Sequence, residues 1–204
     1  ATQAKKLFDY YTQLGRDTIA VSFPNYQSPS STLVQMYLNG EVGTLDAVNP
    51  YAASSFYSLD RYISFQTELK AMYEQGALVI ADRYTTSNIS HQTTKFPREK
   101  WADYIKWLTD FEYTLFELPK PDEVIYLDMH PETSRHLLSK RYNGDERLRD
   151  IHEQNFEYIL RCREAALYAA ELLNWKIIDC FDEKFQPIEI EAVWAKILEK
   201  LSDI

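Results

Sequence analysis

Asp82, Arg83 and Tyr84 follow directly on the apolar run Ala77-Leu78-Val79-Ile80-Ala81. A carboxylate beside a guanidinium can organise a metal ion or a water while the guanidinium grips a phosphate bidentately. The placement matters as much as the residue types. A continuous apolar run reads as a strand buried on both faces of a parallel sheet, and ligands of such sheets gather outside the carboxyl ends of the strands. The triplet suits a strand-end ion pair equally well, so these residues alone leave both readings open.

Two further constellations have the same double character. Tyr57 and Arg61 lie four residues apart on one helix face. A ring beside a guanidinium fits a ligand with a flat base and an anionic group, and it also fits a core tyrosine with Arg61 turned to solvent or to Asp60. The stretch Lys140 to Arg149 mixes both charges around Gly144. Such segments form lids that close over phosphates, and they also form plain solvated loops. His91 and Gln92 follow the triplet at short range, but a lone histidine does not make a general base. No HExxH, paired-cysteine or GxSxG pattern occurs, which removes zinc and nucleophile-elbow chemistry from the sequence expectations.

The elements that must position these residues alternate between helix and strand. Helices are expected over 3–14, 32–38, about 50–75, about 98–116, 131–140, 151–173 and 188–201. Strands are expected over 19–23, 77–81, 124–127 and 175–179. This alternation implies crossover connections and a mostly parallel sheet. A length of 204 residues with no repeat or linker gives a single domain, and 45% hydrophobic and 14% aromatic residues supply its core. A net charge of −9 disfavours nucleic acid as a partner. Two unclustered cysteines suit a reducing cytoplasm, and no segment reads as a membrane span.

In order and spacing, these segments resemble a thymidylate kinase, of the nucleoside monophosphate kinase group of P-loop kinases. The resemblance runs along nearly the whole chain. It is carried by Phe23-Pro24, Tyr57-Ser58-Leu59-Asp60-Arg61, Asp82-Arg83-Tyr84 with Ser87-Asn88, and Pro119-Lys120-Pro121-Asp122 before Val124-Ile125-Tyr126-Leu127-Asp128. It implies a three-layer α/β/α fold with a mostly parallel sheet and a small mobile lid at about 140–150. It also implies transfer of the γ-phosphoryl group of ATP to dTMP with Mg2+, and a homodimer.

Carried over to these positions, the resemblance implies that Tyr57 stacks on thymine and Arg61 fixes the carbonyl edge of the pyrimidine. Phe23 lines the acceptor site and Arg83 holds the acceptor phosphate. Asp82 serves the magnesium shell or the attacking oxygen. Ser87 and Asn88 meet the base, while His91, where the family often has tyrosine, and Gln92 border the sugar. Arg141, Arg147 and Arg149 close on the donor phosphates, with Asp150 and Glu153 as acidic neighbours. The family's phosphate loop, GxxxxGK, is not formed by the glycines at 15, 40, 43, 76 and 144. Ala1-Thr2-Gln3 looks like the residues just past that loop, which puts Thr2 beside the donor nucleotide and sets the loop and first strand upstream. A related kinase with another acceptor and a non-catalytic nucleotide-binding protein are the alternative readings.

Overall fold

The computed structural model describes residues 1–44, 47–134, 137 and 156–201. They form two compact units, Ala1–Lys120 and Pro121–Ile204. The proposed lid at 140–150 lies outside the described residues, as do Asp150 and Glu153.

In the first unit, helix α1 (Thr2–Gln13) precedes strand β1 (Thr18–Ser22). After α2 (Thr32–Leu38), helix α3 (Pro50–Ser64) runs through a π-helical turn at Phe65–Leu69 into α4 (Lys70–Glu74). The start of α3 is written in the sequence. The Asn49 side chain accepts from the Tyr51 N–H at 2.8 Å, and Pro50 occupies the first turn, where an N–H would have no helical partner. At the far end Gly76 takes φ +90°, which suits a residue without Cβ. The N–H groups of Gly76 and Ala77 then close back on Tyr73 and Met72.

Strand β2 (Leu78–Asp82) pairs in parallel with β1, from Thr18 opposite Leu78 to Ser22 opposite Asp82. The Phe23 N–H extends the ladder to the Asp82 carbonyl at 3.2 Å, and Pro24, with no N–H to donate, follows it. The run expected to be buried on both faces is only partly so. Ile80 is buried and Ala81 is exposed, the inside–outside alternation of a strand with one covered face.

Helix α5 (Thr85–Gln92) leaves β2 after a two-residue link, and α6 (Trp101–Thr109) continues into a π-helical turn at Asp110–Leu115. Tyr51, Phe96, Tyr104, Trp107, Phe111 and Phe116 pack ring on ring here, with Tyr51 and Trp107 centroids 4.5 Å apart. These contacts lock α3 against α6.

The second unit pairs β3 (Ile125–Asp128) with β4 (Lys176–Asp179), again in parallel. Helix α7 (Phe156–Leu173) buries Ala165, Ala166, Ala169 and Ala170, a face of small residues that permits close packing, and α8 (Ile190–Leu201) buries Val193 and Ile197. An apolar strand such as the one expected over 124–127 would be buried throughout, but here the burial is inverted. Leu127 is 38% exposed while Asp128, at the strand end, is 2% exposed. Arg163 on α7 explains the inversion, donating from Nε and Nη2 to the two Asp128 oxygens at 2.8 and 2.7 Å. A carboxylate gripped in this way tolerates burial.

Candidate active site

β2 delivers Asp82 and Arg83 at its carboxyl end. Arg83 takes φ +69°, in the left-handed region that costs a residue bearing a Cβ about 1–2 kcal/mol. Its side chain is exposed and makes no hydrogen bond or ion pair with any described residue. Asp82 is half-buried, and its Oδ2 lies 2.8 Å from the Ala1 nitrogen, so the start of α1 faces the end of β2. Tyr84 then turns inward. Its hydroxyl donates to the Pro119 carbonyl at 3.1 Å, and its ring lies 5.8 Å from that of Phe23.

Arg61 departs from the packing expected of it. Neither solvent nor Asp60 is its partner, because the guanidinium is 2% exposed and forks onto Glu112, itself 0% exposed. Nε donates to Oε2 at 2.8 Å and Nη2 to Oε1 at 2.5 Å. Ser58 Oγ donates to Oε1 at 2.7 Å and Thr85 Oγ1 to Oε2 at 2.5 Å. Burial works against the Arg61 charge, but the Glu112 carboxylate outweighs it, and the arginine pKa is raised. The Tyr84 ring lies 5.8 Å from the guanidinium carbon, close enough for cation–π attraction. Asp60 is committed elsewhere, accepting from the Asn25 N–H at 2.9 Å and from Ser30 Oγ at 2.5 Å.

Tyr57 feels the charge of both arginines. Burial raises its phenol pKa, and among its charged neighbours both Arg83 and Arg61 pull it back. Its ring meets that of Tyr37 edge-on at 6.2 Å. The ring over which the Arg61 guanidinium sits is that of Tyr84. On α5, Asn88 is buried and donates to the Ser54 carbonyl at 3.2 Å, while Ser87 and His91 are half-buried. Gln92 is 3% exposed, and its Oε1 accepts no hydrogen bond from the described residues. All of these residues belong to the first unit. Arg141, Arg147 and Arg149 lie outside the described residues.

A cavity of about 330 Å³ opens along the end of β1, lined by Ser22, Phe23, Asn25, Tyr26, Ser64 and Glu68 among others. Of the described sequence-predicted site residues only Phe23 borders it, so it does not mark Tyr57, Arg61 and Arg83. Sequence reasoning missed Glu112, Ser58 and Thr85. The available signal was a carboxylate within the aromatic stretch 101–116 and the need of any buried arginine for one.

A model of the family described as thymidylate kinase matches residues 1–186. The chain belongs to the thymidylate kinase family. It is 26% identical to a thymidylate kinase of Bifidobacterium longum (strain NCC 2705) over 207 residues, covering 100% of this chain and 91% of the relative. It is 25% identical to a thymidylate kinase of Danio rerio, covering 87% of this chain and 75% of that one. A crystal structure of thymidylate kinase from Ehrlichia chaffeensis aligns with a TM-score of 0.63 over 98% of this chain and 90% of that one. Identity there is 16%, so this likeness is one of fold, and the fold is the α/β type of the P-loop kinases.

Proposed function

We propose that this family member transfers the γ-phosphoryl group of ATP to the 5′-phosphate of dTMP, giving dTDP and ADP. The observation that carries the reading is Arg83, an exposed guanidinium without a hydrogen-bonding partner among the described residues, held at the carboxyl end of β2 and acting electrostatically on Tyr57. An arginine without a hydrogen-bonding partner among the described residues, at a strand end, suits the phosphate of a nucleotide.

In this reading Arg83 holds the acceptor phosphate, Tyr57 stacks on the pyrimidine, and Arg61 meets its carbonyl edge. Phe23, Ser87 and Asn88 line the base site, and His91 and Gln92 border the sugar. Thr2 and the arginines at 141, 147 and 149 serve the donor phosphates. Phosphoryl transfer asks the protein mainly for positioning and charge neutralisation. The acceptor phosphate needs no strong base, since a monoester is largely dianionic above about pH 6. Asp82 fits Mg2+, an ion that uses one or two carboxylates together with substrate phosphates and water. When bound, the ion would neutralise charge on the donor phosphates.

The reading also takes residues 1–204 as one kinase domain with its lid near 140–150, working as a homodimer in the cytoplasm. Two free cysteines support the compartment, and exposed Tyr62, Ile63, Met72 and Tyr73 on α3 and α4 support a partner surface. No helix among the described residues is long and apolar enough to cross a membrane. Release of ADP from ATP and dTMP by the natural full-length protein tests the activity. Absence of dTMP-dependent release overturns it.

A further inference from the structure

Glu112 sits where three segments of the first unit meet. α3 brings Ser58 and Arg61 to it, the first residue of α5 brings Thr85, and the π-helical turn supplies the carboxylate itself. Four donors converge on its two oxygens, and it has no exposed surface. A lone carboxylate in such a place would be prohibitively costly, and this one is fully satisfied.

The pairing has two geometric consequences. First, the fork occupies Nε and Nη2 of Arg61 and leaves Nη1 without a hydrogen bond to any described residue. Turning the guanidinium would break both bonds at once, so its plane is fixed. Second, Thr85 stands two residues after Arg83. The carboxylate that sets the plane of Arg61 also pins the backbone beside the other arginine.

We propose that Glu112 is a positioning residue for the acceptor nucleotide. It holds Arg61 in register with Arg83, through Thr85, so that a pyrimidine and its 5′-phosphate are gripped at a fixed span. This rests on the dTMP reading above. A carboxylate that served packing alone would change stability without changing the affinity of the folded protein for dTMP.

Titration calorimetry of dTMP and of thymidine, with steady-state kinetics, on the natural full-length protein and on E112Q, T85V and T85S tests the proposal. Glutamine offers one acceptor oxygen where the fork needs two. In E112Q the Kd for dTMP rises at least about tenfold, the cost of weakening charged hydrogen bonds, while the KM for ATP stays unchanged. T85V spares the fork but cuts the tie to the Arg83 segment, so it weakens dTMP more than thymidine, and T85S restores dTMP affinity. An E112Q protein that is folded and binds dTMP normally overturns the proposal, as does a T85V loss that T85S fails to repair. If E112Q does not fold, the two Thr85 variants decide. A wild type that binds no dTMP removes the activity and this role with it. A wild type that binds dTMP, with variants that match it, removes the role of Glu112 alone.

Discussion

Arg61 and Glu112 face each other as a two-point fork, Nε to Oε2 at 2.8 Å and Nη2 to Oε1 at 2.5 Å, in an interior where neither is more than 2% exposed. Removing one partner from such a pair leaves a buried charge without compensation, which costs about 3–5 kcal/mol. Glu112→Ala is therefore expected to be strongly destabilised in urea unfolding. The double variant Arg61→Met/Glu112→Leu removes both charges and recovers much of that loss. An E112A midpoint equal to wild type would mean that the pair is not buried as described.

Arg83 gives the opposite pattern, since it contributes little to the fold. It is exposed, makes no hydrogen bond to a described residue, and holds a left-handed φ of +69°. Arg83→Gly relieves that conformation and is expected to leave stability unchanged or raise it by about 1 kcal/mol. Arg83→Ala stays within about 0.5 kcal/mol of wild type. Both variants lose at least about a hundredfold in kcat/KM for dTMP, the scale of removing a preorganised charge partner. Normal turnover in either would remove Arg83 from the phosphate site.

Alkaline pH should unfold the protein through its tyrosines. Burial pushes the Tyr113 phenol up to about 12, against an ordinary 10.0, with the Thr85 hydrogen bond pulling the other way. Burial also raises Tyr57, Tyr84, Tyr104 and Tyr126. A raised folded-state pKa means that the folded protein keeps the proton longer than the unfolded chain. The stabilisation is complete below pH 10.0 and is lost as pH climbs through about 12. Urea midpoints should be level near neutrality and fall above pH 10. Midpoints that held steady to pH 12 would contradict the burial of these rings.

Much of this architecture is legible in the sequence, because local chemistry dictates it. The apolar run before Asp82 becomes β2, Pro50 starts α3, and Gly76 ends α4. The π-helical turns at 65–69 and 110–115 leave no trace in hydrophobic periodicity, so both helices read as uninterrupted. The site divides along the same line. Asp82, Arg83, Tyr57 and Arg61 are recognisable by spacing and by resemblance. Glu112 is not, because its role depends on a contact 51 residues away in the chain. Its burial follows from four donors on three residues, Ser58, Arg61 and Thr85, that sequence spacing does not connect to it. Asp128 shows the same limit, since only Arg163, 35 residues on, explains how a strand-end acid becomes buried while Leu127 is exposed.

In the proposed function, Tyr57, Arg61 and Arg83 grip a thymine nucleotide for phosphorylation. The most direct measurement is kcat/KM for ATP-dependent phosphorylation of dTMP, dUMP, dCMP and thymidine by the natural full-length protein, under one set of conditions. dTMP is expected to be the preferred acceptor, and thymidine, which offers Arg83 no phosphate, to be phosphorylated far more slowly. Preference for thymidine, or equal use of dCMP and dTMP, would contradict it.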